Sequence, residues 1–181
     1  MIWLILGLLL WCAGHFFKRA MPDVRAGLGD AGRGVSAGII LAGVVLMVIG
    51  YRAADPAYLW ALPDWSRHLN NLLMLIAVYL YAVSGMKTRV AQHIRHPMLW
   101  GTVVWAVAHL LVNGDVPSLI LFGGLTVWAL AEMAVINRAE APWHKPPIKP
   151  AKSEAMALVG TVIVYAVLVG LHGLLGPWPV G

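Results

Sequence analysis

Four of the seven histidines, His15, His68, His109 and His172, fall inside or at the ends of long runs of Leu, Val, Ile, Ala and Gly. An imidazole at membrane depth is costly to solvate and turns towards a bundle interior, so each marks a candidate site. Neutral imidazole suits iron, and a haem held between helices needs two axial nitrogens about 4 Å apart, one on each face. The bland alternative is an imidazole that hydrogen-bonds to a neighbouring helix, or one at a helix end that water satisfies. Several such histidines in one small chain shift the balance towards ligation. A second cluster joins Arg95, His96 and Glu132, where a carboxylate near the membrane surface would pair with either cation or line a polar pocket. His93 and His144 lie in polar loops and read as solvated. The single Cys12 can form neither an intramolecular disulfide nor a zinc site of its own.

The elements that must position these groups follow from composition. A mean hydropathy of +0.77, with 60% hydrophobic and only 12% charged residues, is too apolar for a soluble domain. A transmembrane helix needs roughly 20 apolar residues to cross about 30 Å of hydrocarbon. The 181 residues therefore accommodate an all-α, polytopic bundle of about six transmembrane helices in a single domain, 1–181. Apolar runs place the helices near Ile2–Phe17, Val35–Tyr51, Leu69–Met86, Pro97–Val112, Ser118–Ile136 and Ala155–Leu175, with ends uncertain by about two to four residues. The first run has no basic residue ahead of it and no small-x-small cleavage pattern, so it is expected to stay as a helix. The stretch APWHKPPIKPAK (Ala141–Lys152) has too many prolines to be helical. The net charge of +5 does not point to nucleic acid, because the basic residues form neither an arm nor an aromatic-interleaved stripe.

Those basic residues instead set orientation. Eleven of the 13 fall in the first, third and fifth loops, and only Arg52 and Arg67 lie in the second. The positive-inside rule then puts odd-numbered loops in the cytoplasm and both termini outside. On this layout His15, Arg95, His96 and Glu132 belong to an inner layer, and His68, His109, Asn113, Asp115 and His172 to an outer one. Within Pro97–Val112, the residues Gly101, Thr102, Trp105, Ala106 and His109, with Asn113 beyond, share one face at spacings of three and four. Small residues on it allow close approach of a neighbouring helix or a flat ligand. About 18 Å of helix separates His109 from Pro97 and the inner surface, so either the first helix is set deeper or strongly tilted to bring His15 to His109, or the axial partner of His109 is His172 or His68.

The segments RHPMLWG (Arg95–Gly101), WAVAHLLVNGD (Trp105–Asp115) and LILFGG (Leu119–Gly124), with GHFFKR (Gly14–Arg19) in the first helix, resemble the signature of the NnrU family. The resemblance spans essentially the whole chain. It implies a bacterial inner-membrane protein linked to nitrite and nitric oxide reduction in denitrifiers, with a redox, sensing or accessory role. NnrU proteins are in turn similar to zeta-carotene isomerases, haem b membrane enzymes that act on a hydrophobic polyene. Carried over, the haem-ligating histidines of those enzymes fall on His15 and His109, and the cysteine three residues before the second ligand is replaced here by Ala106. Partners implied are the lipid bilayer and either a hydrophobic small molecule or a larger respiratory or photosynthetic complex. The RHP motif followed by Gly also resembles isoprenylcysteine and phospholipid methyltransferases. Their paired glutamates are missing, with only Arg138-Ala139-Glu140-Ala141 at the corresponding place.

Overall fold

In the computed structural model, residues 1–140 and 142–180 are described; Ala141, the first residue of the expected proline-rich loop, lies outside them. The helices are α1 (Ile2–Ala20), a short α2 (Pro22–Gly27), α3 (Ala31–Arg52), α4 (Trp65–Met86), α5 (Pro97–Val112), α6 (Val116–Ala139) and α7 (Ala151–Leu175). Among the described residues no strand forms, apart from an isolated bridge between Tyr58 and Asp115. The chain is therefore an all-helical membrane protein. Among the described residues, five helices are long and apolar enough to cross a bilayer, and α5, with 16 residues, is the shorter sixth at about 24 Å.

The local chemistry explains most boundaries. Pro97 opens α5 at a position where a missing amide costs nothing, and Asn113 ends it. α3, α4 and α7 each begin one turn earlier than their apolar runs, because Ala31–Gly34, Trp65–His68 and Ala151–Glu154 are polar but still helical. α6 begins under an Asp115 cap, carries a π-type turn at Leu119–Gly123 and returns to α geometry from Gly124.

The chain divides into two compact units, Met1–Trp60 with Gly114–Trp128, and Ala61–Asn113 with Ala129–Gly181. In the first, α1 lies against α3 along a glycine seam. A Cβ on Gly7 would fall 2.6 Å from the Met47 amide nitrogen and 2.7 Å from the Gly43 carbonyl, and Gly50 meets the Leu4 backbone. Such approach is how helices associate where no hydrophobic effect operates between them. In the second, Gly101 of α5 packs on the Ala77 carbonyl and Leu80 of α4, and the Tyr81 hydroxyl hydrogen-bonds the Thr102 hydroxyl at 2.8 Å. The buried Gly101, Thr102 and Ala106 confirm that the small-residue face of α5 turns inward. The outward faces, such as Val159, Val162 and Ile163 of α7, are apolar and exposed, as a lipid-facing surface must be.

Candidate functional site: two tryptophan–histidine pairs

In α1 the imidazole of His15 turns back along the helix and its Nδ1 donates to the Trp11 carbonyl at 2.9 Å. A carbonyl only accepts, so Nδ1 carries the proton and Nε2 the lone pair. The ring lies 4.3 Å from the Trp11 ring and 4.6 Å from that of Trp128, which α6 brings in edge-on, and the two indoles are 5.1 Å apart. These aromatic walls hold the imidazole in one orientation. Trp128 is buried, and the indole N–H groups of both tryptophans meet no acceptor among the described residues.

The second unit repeats this arrangement. His109 of α5 donates Nδ1–H to the Trp105 carbonyl at 2.8 Å, with the two rings 4.9 Å apart. Both histidines thus stand four residues after a tryptophan and bond its carbonyl through Nδ1–H. Nδ1–H bonded to a carbonyl is how ligating histidines fix their tautomer and raise the basicity of the ligating nitrogen. Asn113 donates to the His109 carbonyl at 2.9 Å, so it completes the end of α5. His172 lies in the same unit as His109 and donates Nδ1–H to the Pro177 carbonyl at 2.9 Å. His68 is exposed in the first turn of α4.

At the other end of α5, Arg95 donates to the Glu140 carbonyl at 2.6 Å and His96 Nε2 bonds Asn137 Oδ1 at 2.8 Å. Both interactions therefore fasten α5 to the last turn of α6. Neither of these two bonds goes to Glu132, which lies buried more than a turn earlier in α6. Gln92 reaches the Pro146 carbonyl and the Arg89 amide reaches Glu154, so the whole RHP approach is tied down.

A family model described as NnrU protein matches residues 3–179. The chain belongs to the NnrU family. No curated protein and no solved structure gives a significant match. Both tryptophan–histidine pairs and the RHP motif of this NnrU chain lie inside the matched stretch. Among the described residues, no group of three or more His, Cys, Asp or Glu side chains could hold a bare metal ion. A haem makes a smaller demand, since the porphyrin fills four iron positions and the protein supplies axial ligands only. Trp105 is legible in the sequence only as a member of the small-residue face of α5, and Trp11 and Trp128 do not stand out there as site residues. The signal for Trp11 and Trp105 was the spacing W-x-x-x-H, present at both Trp11–His15 and Trp105–His109.

Proposed function

We propose that this NnrU protein binds haem b, which the imidazole of His15 or of His109 would hold, and serves a redox or gas-sensing role in nitrite and nitric oxide metabolism. The observation that carries the reading is the shared tautomer: in both pairs Nδ1–H is spent on a tryptophan carbonyl and the lone pair stays on Nε2. A histidine serving only to bridge helices would use its N–H on the neighbouring helix. His172 has the same tautomer and is the alternative axial donor beside His109, with His68 next. When bound, haem b supplies a redox-active iron with gas-binding chemistry. The chain's own part is to present imidazole nitrogens in fixed orientation and to exclude water with tryptophan walls. The isomerase reading is weaker, because the fully buried Ala106 has no side chain that could exchange as a ligand. The unbroken match from residue 3 to 179 supports treating the chain as one functional domain, and the bias of Lys and Arg towards alternate loops supports an inner-membrane orientation with both termini outside.

The test is the visible spectrum of the protein purified from haem-sufficient cells, with His15→Ala, His109→Ala, His172→Ala and His68→Ala beside it. The wild type is expected to show a Soret band that shifts on reduction, and His109→Ala to lose it. The single variants at the other three positions identify the second donor. Wild-type protein with no Soret band in either redox state overturns the proposal.

A further inference from the structure

A different part of the first unit, away from the histidines, carries a second site. Arg52 is the last residue of one membrane-spanning helix and Val116 the first residue of another. The residues around them therefore lie at the depth of lipid headgroups. There Tyr51, Arg52, Ala54, Pro56, Asp115 and Pro117 line an open cleft of about 300 Å³. Its walls are fixed backbone: the amides of Leu59 and Trp60 both donate to the Gly114 carbonyl, at 2.7 and 3.1 Å, and the Val116 amide donates to Ala57 at 2.9 Å. Gly114 is pressed against the Trp60 carbonyl, leaving no room for a side chain.

The two charged residues of the cleft are of opposite sign and differently placed. Asp115 is 8% exposed, and its carboxylate accepts from the Ser118 amide at 2.8 Å and the Ser118 hydroxyl at 3.0 Å. The Tyr51 hydroxyl in turn donates to the Ser118 oxygen at 2.8 Å. All these donors are neutral, and each carboxylate oxygen keeps a lone pair. A carboxylate so buried at the edge of the hydrocarbon calls for a cation. Arg52, also in the lining, is exposed, and an exposed guanidinium suits an anion. Below it, Leu41, Val45 and Val48 form an exposed apolar stripe on the same face of α3, at spacings of four, three and four up to Arg52. Tyr58, 78% exposed on the adjoining loop, suits the interfacial belt.

From this geometry we propose that the cleft binds an aminoethyl phosphate group as the headgroup of phosphatidylethanolamine. Its primary ammonium donates to Asp115, its phosphate accepts from Arg52, and its acyl chains run down the Leu41–Val45–Val48 stripe. A choline headgroup cannot donate to Asp115 because its nitrogen bears no hydrogen, and a glycerol headgroup brings no cation to the buried carboxylate.

The experiment titrates the full-length protein in detergent micelles with short-chain phosphatidylethanolamine, phosphatidylcholine and phosphatidylglycerol, and with free phosphoethanolamine, reading bound ligand by native mass spectrometry. Phosphatidylethanolamine is expected to bind about tenfold more tightly than the other two lipids, the worth of one charge-assisted hydrogen bond. Asp115→Asn, whose amide oxygen can still cap α6, should abolish that preference. Arg52→Gln removes the partner of a phosphate that all three lipids carry, so it should weaken binding of all three about tenfold and leave the order of preference unchanged. Equal retention of the three lipids by the wild type, or undiminished lipid binding by the exposed Arg52→Gln variant, overturns the proposal. Free phosphoethanolamine binding as tightly as the lipid overturns the assignment to a lipid and makes the ligand a soluble one.

Discussion

Replacing Gly7 by alanine tests whether the first unit is held together by backbone contact between α1 and α3. The added Cβ would sit 2.6 Å from the Met47 nitrogen, 2.7 Å from the Gly43 oxygen and 2.7 Å from Met47 Cγ. Met47 Cγ can rotate away, but the nitrogen and oxygen are helix backbone. To restore the 3.4 Å of ordinary contact from 2.6 Å, the helices must part by about 0.8 Å. A gap of that size forfeits about a quarter to a half of the dispersion energy of each contact along the seam. Overpacking of this kind costs about 1–3 kcal/mol, against which alanine returns at most about 1 kcal/mol of helix propensity. The net loss should be about 1–2 kcal/mol. Gly38, on α3 but with nothing within 4 Å of its Cβ position, is the control, and Gly38→Ala should be neutral or stabilising by up to about 1 kcal/mol. Equilibrium unfolding in mixed micelles with increasing SDS, followed by tryptophan fluorescence, gives both values. If Gly7→Ala is as stable as the wild type, or Gly38→Ala is equally harmful, the seam is not what holds these helices.

The hydroxyl of Ser118 links Tyr51 to Asp115, so Ser118→Ala, in the same unfolding assay, should cost about 2–4 kcal/mol by leaving a buried carboxylate oxygen short of a donor. Tyr51→Phe removes only the neutral outer bond and should cost about 0.5–1.5 kcal/mol. In the second unit Tyr81→Phe leaves the Thr102 hydroxyl still bonded to the Met98 carbonyl, and should cost no more than about 1 kcal/mol, whereas Gly101→Leu, wedged against α4, should prevent folding.

The helices were legible because apolar length is a strong signal, and α5 was legible to the residue because Pro97 and Asn113 punctuate it. The polar first turns of α3, α4 and α7 were not, since a run of apolar residues cannot mark a turn that sits among headgroups. The inward face of α5 was readable from its spacing of small residues. The partners of Arg95 and His96 were not: charge alone nominated Glu132, while the folded chain supplies an uncharged Asn137 and a main-chain carbonyl at the end of α6. The environment of His15 was half readable. Trp11 stands four residues before it, but Trp128 comes from a distant helix, and no local pattern announces that meeting.

The proposal that this chain holds haem b is tested most directly by the haem b content per chain of protein extracted from haem-sufficient membranes, measured as the pyridine haemochrome. The account predicts stoichiometric haem b in the wild type and a fall to background in His109→Ala at unchanged fold. Wild-type protein without haem, or a His109→Ala variant that keeps its full complement, would contradict it.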